Sequence, residues 1–169
     1  IVATNDCAET TEVVNPPDCT GCDLEVMISV GDTTICMGQS VTLETLVTGG
    51  TEPFSYSWSP GGETTSSITV TPDATTEYAV TVLDEENCEA FSSMTVIVIN
   101  DPVITIDTTY CGPDGNYIVA FSVESASTVT ANGETLSAPY SYSAQQDSTV
   151  TIVATNDCAE TTEVVNPPD

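Results

Sequence analysis

The chain contains no lysine, no arginine and no histidine. That absence removes whole classes of function. With no cationic side chain to neutralise phosphates, and with 26 acidic residues giving a formal charge of −26, the chain repels DNA, RNA and anionic membrane surfaces alike. Without histidine or lysine, a serine or cysteine nucleophile has no conventional base, a carbonyl substrate has no Schiff-base partner and a phosphoryl group has no clamp. Carboxylate pairs of the glycosidase kind are the one acid-base set left, and nothing in the sequence singles one out. Nor is there an apolar run of about eighteen residues, or the basic and apolar regions of a signal peptide, so no direct insertion of this segment into a membrane is expected.

What is present argues for a folded chain. Forty per cent of the 169 residues are hydrophobic, too many for charge-driven disorder (40%). The sequence IVATNDCAETTEVVNPPD occurs twice, at Ile1–Asp18 and at Ile152–Asp169, which reads as a tandem repeat with a period of 151 residues. A further copy would then continue with the Cys-Thr-Gly-Cys of Cys19–Cys22. A weaker repeat lies inside the period: DTTIC at Asp32–Cys36 returns as DTTYC at Asp107–Cys111, about half a period later. YAVTVLDEENC, ending at Cys88, likewise parallels STVTIVATNDC, ending at Cys158. Two related domains follow, residues 19–100 and 101–169, preceded by residues 1–18 as the end of the previous repeat and its linker. Prolines near Asn100–Pro102 and Asn166–Asp169 stiffen the short connections.

Within each half the apolar residues alternate with a period of two. Ser40–Val47, Phe54–Ser59, Ser66–Val70, Glu77–Leu83 and Met94–Ile99 read as strands in the first half. Asn116–Val123, Ser127–Ala131, Tyr140–Ser143 and Thr149–Ala154 do so in the second, with Asn132-Gly133 as a hairpin turn. TGGTEP and SPGGET mark turns, and no helical spacing with caps competes. The expected fold class is all-β: two small antiparallel β-sandwiches in series.

Seven cysteines become six per period, because Cys7 and Cys158 are the same repeat position. Spacing suggests Cys36 with Cys88, Cys111 with Cys158, and Cys19 with Cys22, while Cys7 pairs outside the segment. Such bridges belong to an oxidising compartment. As Cys-x-x-Cys, Cys19 and Cys22 could also be a redox or zinc pair, but no second pair or histidine completes a zinc site and the acidic surroundings disfavour a reactive thiolate. Asp32 and Asp107 in homologous halves bring to mind a shared-proton aspartic dyad. Thr34 and Thr109 stand where that chemistry uses glycine, so both aspartates read as turn or strand-entry residues, and no enzyme is expected. No cofactor is expected beyond a possible role for calcium, whose candidate ligands are Asp18, Asp23, Asp84, Glu85, Glu86, Asp101 and Asp114. A solvated acidic coat is the simpler reading of these carboxylates.

One stretch carries a resemblance. Ile35–Ala90, with Cys36 before Gly-Gln-Ser-Val-Thr-Leu, Tyr-Ser-Trp-Ser-Pro around Trp58, Thr-Thr-Glu-Tyr around Tyr78, and Cys88 after Asn87, resembles the PKD-like or Ig-like repeats of giant surface proteins of Bacteroidetes. These include gliding adhesins exported by type IX secretion and hook-like surface filaments. The resemblance implies an Ig-like or PKD-like sandwich, an extracellular, cell-surface location and an adhesive or filament-building parent. The resulting expectation is a structural repeat of a long secreted filament or adhesin stalk, whose partners are further copies along the same chain and neighbouring chains of a multi-stranded filament. Two alternatives are a short subunit polymerising by strand donation through its identical terminal segments, and a glycan- or protein-binding module using Phe54, Tyr56, Tyr140 and Tyr142.

Overall fold

Alternation of buried and exposed side chains along short, Thr- and Val-rich strands builds two hydrophobic clusters, one after the other along the chain. The computed structural model describes residues 22–168. Its first half contains β1 (Glu25–Ile28), β2 (Thr33–Cys36), β3 (Val41–Thr48), β4 (Ser55–Ser59), β5 (Ser67–Val70), β6 (Thr76–Leu83) and β7 (Glu89–Ile99). One sheet has the order β1-β3-β5 and the other β2-β7-β6-β4. The second half contains β8 (Val103–Cys111), β9 (Asn116–Glu124), β10 (Thr128–Ala131), β11 (Glu134–Thr135), β12 (Tyr140–Gln145), β13 (Val150–Thr155) and β14 (Glu160–Val165). These form sheets β12-β9-β8 and β11-β10-β13-β14. No helix occurs among the described residues, so none is long and apolar enough to cross a membrane.

The strands read from periodicity appear with ends shifted by a residue or a few, and β7 extends five residues earlier than the apolar run suggests. In β6, Tyr78, Val80 and Val82 point into the first cluster beside Leu43, Trp58 and Val96. In the second, Val150, Ile152 and Ala154 of β13 face Tyr117, Val119 and Phe121 of β9. Trp58 is buried and its indole Nε1 donates to the Thr65 carbonyl at 2.9 Å, so the large ring leaves no unpaired polar atom.

One pairing departs from the all-antiparallel expectation. β2 runs parallel to the end of β7, with Cys36 opposite Ile99. The bend at Ser29–Asp32 lets the same run of chain pair first with β3 in one sheet and then with β7 in the other. Asp32 fixes the crossing by accepting a hydrogen bond from the Thr95 N–H at 2.8 Å.

Leu43 is fully buried between the sheets of the first sandwich. Leu43→Ala is expected to cost about 2–5 kcal/mol of stability, as cavity-forming substitutions do. Urea unfolding of the oxidised protein, followed by Trp58 fluorescence, measures it.

Candidate functional site: disulfide-stapled ends and junction

The two sandwiches meet at Asn100–Pro102, and one disulfide and five hydrogen bonds cross or brace that joint. Cys36, at the end of β2, is bonded to Cys158, in the turn between β13 and β14, with Cα atoms 5.5 Å apart. Asn156 uses its whole side-chain amide. Its Nδ2 donates to the carbonyls of Asn100 at 2.8 Å and Ser125 at 2.6 Å, while its Oδ1 accepts from the N–H groups of Cys158 and Ala159. Thr161 Oγ1 donates to the Pro102 carbonyl at 2.7 Å. Asn156 therefore shapes the turn that presents Cys158 and ties that turn to the connecting segment.

The opposite, leading end of the first sandwich is closed by a second bridge, Cys22 to Cys88. Its scaffold is Asp84, a buried aspartate in the turn between β6 and β7. The Asp84 carboxylate accepts from the backbone N–H groups of Thr51 (3.1 Å), Glu86 (2.9 Å) and Cys88 (2.8 Å). Burial opposes its charge, but these three donors outweigh burial and hold the carboxyl below the usual carboxylate range. Beside it, Asp23 Oδ1 accepts from Gly50 N–H at 3.0 Å. Gly49 and Gly50 both have positive φ (69° and 66°), and a Cβ on Gly49 would collide with the Asp23 carbonyl.

These bridges correct the pairings expected from spacing. Cys36 and Cys88 lie at opposite ends of the first sandwich. Cys36 is level with Ile99 whereas Cys88 precedes Glu89, and the 11 residues of β7 hold those levels apart by roughly 33 Å at about 3.3 Å per residue, against the 7 Å limit for a disulfide. Cys111 and Cys158 are separated in the same way by the 9 residues of β8, roughly 26 Å. Cys111 is exposed and has no disulfide partner among the described residues. Cys22 is bonded to Cys88 and not to Cys19; Cys19 and Cys7 lie outside the described residues.

Asp32 and Asp107 belong to different sandwiches and share no site. Asp107 sits at a register irregularity of β8, where it accepts from Ser122 Oγ at 3.2 Å. Of the calcium candidates, Asp18 lies outside the described residues. Asp23 and Asp84 are engaged by backbone N–H groups, and no cluster of three or more His, Cys, Asp or Glu positioned for a metal occurs among the described residues. Glu85, Glu86, Asp101 and Asp114 are exposed. Phe54 and Tyr56 pack against the first core and Tyr140 and Tyr142 against the second, Tyr140 stacking on Phe121 with ring centroids 5.5 Å apart.

Sequence reasoning missed Asn156, Asp84 as a scaffold, and the cross-joint bridge. The available signal was the Asn-Asp-Cys of Asn156–Cys158 and the Asp-Glu-Glu-Asn-Cys of Asp84–Cys88. Each places a turn-forming side chain a few residues before a cysteine.

No family model and no curated protein matches the chain. Solved structures do. Sidekick-1 immunoglobulin domains 1–4 are similar with a TM-score of 0.56 at 13% identity, covering 82% of this chain and 47% of that one. DIP-gamma IG1+IG2 gives a TM-score of 0.56 at 10% identity, covering 85% of this chain and 96% of that one. The N-terminal eight Ig domains of Down Syndrome Cell Adhesion Molecule give 0.54 at 13% identity, covering 86% of this chain and 27% of that one. The chain thus spans less than half the length of the Sidekick-1 and Down Syndrome Cell Adhesion Molecule chains. At such identities the likeness shows the fold: immunoglobulin-like β-sandwiches.

Replacing Cys36 and Cys158 together by serine opens a loop of 122 residues and is expected to lower stability by about 3–5 kcal/mol in the chain-entropy model, read from urea unfolding. Asp84 adds a pH dependence. Because its folded-state pKa is depressed, its carboxylate stabilises the fold above the ordinary carboxylate range, and that contribution fades as pH falls through the lowered folded value. Asp84→Asn should therefore lower stability at neutral pH and flatten its fall in acid, measured by thermal unfolding at a series of pH values.

Proposed function

We propose that the chain is a structural repeat of a long secreted filament or adhesin stalk at the cell surface, one period of a tandem array. Its domains would be residues 19–100 and 101–169, following the tail of a previous copy at 1–18. The Cys36–Cys158 bridge carries this reading. When the chain is pulled from its two ends, tension passes along Cys22–Cys36, through the disulfide, and out along Cys158–Pro168. Residues 37–157 sit in a closed loop outside that covalent path. Of each 151-residue period, the 122-residue loop leaves only about 29 residues that can straighten, roughly 100 Å at about 3.3–3.6 Å each. A stalk gains by this, because its length holds under load even if a sandwich melts.

Several observations support an extracellular place and a mechanical role. Two disulfides need an oxidising compartment. The two identical terminal segments fit a tandem chain. An absence of lysine leaves disulfides, not isopeptide bonds, to supply covalent reinforcement. The resemblance of Ile35–Ala90 to surface repeats of Bacteroidetes adds type IX export as the route, further copies as partners along the chain, and neighbouring chains as partners around it.

Single-molecule stretching tests the mechanical part. Reduction of the 169-residue chain should increase the released contour length by roughly 400 Å, the length of a 122-residue loop at about 3.3–3.6 Å per residue. Identical traces before and after reduction would contradict it. The tandem part is tested by the denatured, reduced mass of the native protein. A very large chain is expected, and a band near the 17.6 kDa of this segment would favour strand donation between short subunits instead.

A further inference from the structure

The trailing end of the second sandwich carries the same kind of feature as the joint, left open. Cys111 ends β8 there, opposite Tyr117 at the start of β9. The Tyr117 hydroxyl reaches across the core to the carbonyls of Ser148, at 2.6 Å, and Val165, at 3.4 Å. Val165 is the last residue of β14, where the chain leaves the sandwich. Cys111 thus stands beside the exit. Tyr110 and Val164, the residues before Cys111 and Val165, are both exposed, which leaves apolar surface at the same end.

The fold itself shows what a cysteine in this position does. Cys36 and Cys111 occupy the last place of the matched DTTIC and DTTYC segments, each on an edge strand and each at the end of its sandwich from which the chain departs. Cys36 is bonded forward, to a cysteine of the sandwich that follows. Cys111 has the corresponding place and no partner among the described residues. The sequence supplies one, because the other copy of Ile152–Asp169, at Ile1–Asp18, runs directly into Cys19. Cys22, three residues on, is already bonded to Cys88 at the leading end of its sandwich. Of six cysteines per period, two bridges use four, and Cys19 and Cys111 remain.

Distance allows the match. Asn166, Pro167, Pro168 and Asp169 separate Val165 from the next copy's equivalent of Cys19. Five extended steps, stiffened by two prolines, reach about 15 Å. The facing sheets that carry Cys111 and Val165 are about 10 Å apart.

We propose that Cys111 of one copy is disulfide-bonded to Cys19 of the copy that follows, a forward staple across the joint between repeats; this rests on the tandem reading above. The chemistry is thiol–disulfide exchange with a small-molecule disulfide such as oxidised glutathione. One thiolate, its proton lost to solvent, attacks that disulfide and releases one glutathione thiolate; the second thiolate attacks the mixed disulfide and releases the other. Two thiols are oxidised, one disulfide is reduced, and the departing thiolates take up the two protons.

The test is a two-copy chain, the 169 residues followed by a second copy starting at the equivalent of Cys19, refolded in a glutathione redox buffer. Cys7→Ser and Cys19→Ser in the first copy and Cys111→Ser in the second remove cysteines whose partners are missing. The proposal expects no free thiols in denaturant, and a glutathione-resistant link from the first copy's Cys111 to the second copy's Cys19 equivalent by mass spectrometry of glutamate-specific peptides, with fragmentation between Cys19 and Cys22, which share one peptide. Two free thiols, with the Cys22–Cys88 and Cys36–Cys158 links intact in both copies, would overturn the staple and leave the stalk reading standing. A link from Cys111 to any other cysteine would overturn the choice of Cys19. If the substituted chain does not fold, the unsubstituted 169-residue chain should form a disulfide ladder that Cys111→Ser or Cys19→Ser abolishes and Cys7→Ser preserves; a ladder insensitive to Cys111→Ser overturns the proposal.

Discussion

The covalent tie between Cys36 and Cys158 is the constraint on which the rest of the structure depends. Without it, two small sandwiches would be joined by the three residues Asn100–Pro102 and a few hydrogen bonds, and the joint would be the weakest point along the chain. With it, the end of β2 and the turn before β14 become one unit, and Asn156 and Thr161 have a fixed frame in which to hold the connecting backbone. A bridge placed across a joint also differs in kind from one inside a domain. It adds to stability by shrinking the unfolded ensemble, and it ties one sandwich covalently to the next.

Charge makes this covalent route more important. A chain with 26 carboxylates and no cationic side chain can form no side-chain salt bridge, so every polar tie in it is a hydrogen bond. Asp84 shows how carboxylates are used under that restriction. It becomes a hub for backbone N–H groups and organises the turn that carries Cys88. Most others among the described residues lie on the surface, where mutual repulsion is relieved by salt.

The strands were legible because their information is local. The alternation in Glu77–Leu83 or Thr149–Ala154 states which face is buried without reference to anything distant, and Asn132-Gly133 adopts the positive φ angles, 48° and 84°, that its turn requires. β1 and β2 were harder, because four-residue strands on either side of a sheet switch carry too little alternation to register. β8 alternates only over its first half, and from Asp107 onward its residues are exposed at an edge. The disulfide partners were not legible at all from spacing. Similar separations for Cys36 to Cys88 and Cys111 to Cys158 follow the matched DTTIC and DTTYC segments, whereas pairing is decided by which end of a sandwich each sulfur occupies. That depends on the parallel seat of β2 against β7, a long-range fact.

Peptide mapping of the oxidised protein under non-reducing conditions is the most direct measurement of this account. A glutamate-specific protease cuts at Glu44, Glu86, Glu89 and Glu160, isolating the peptides of Cys36, Cys88 and Cys158 from one another. The Cys36 peptide is expected to travel with that of Cys158 and to separate from it on reduction. Recovery of Cys36 joined to Cys88 would contradict it, because the two sandwiches would then be closed separately and the joint between them left to backbone alone.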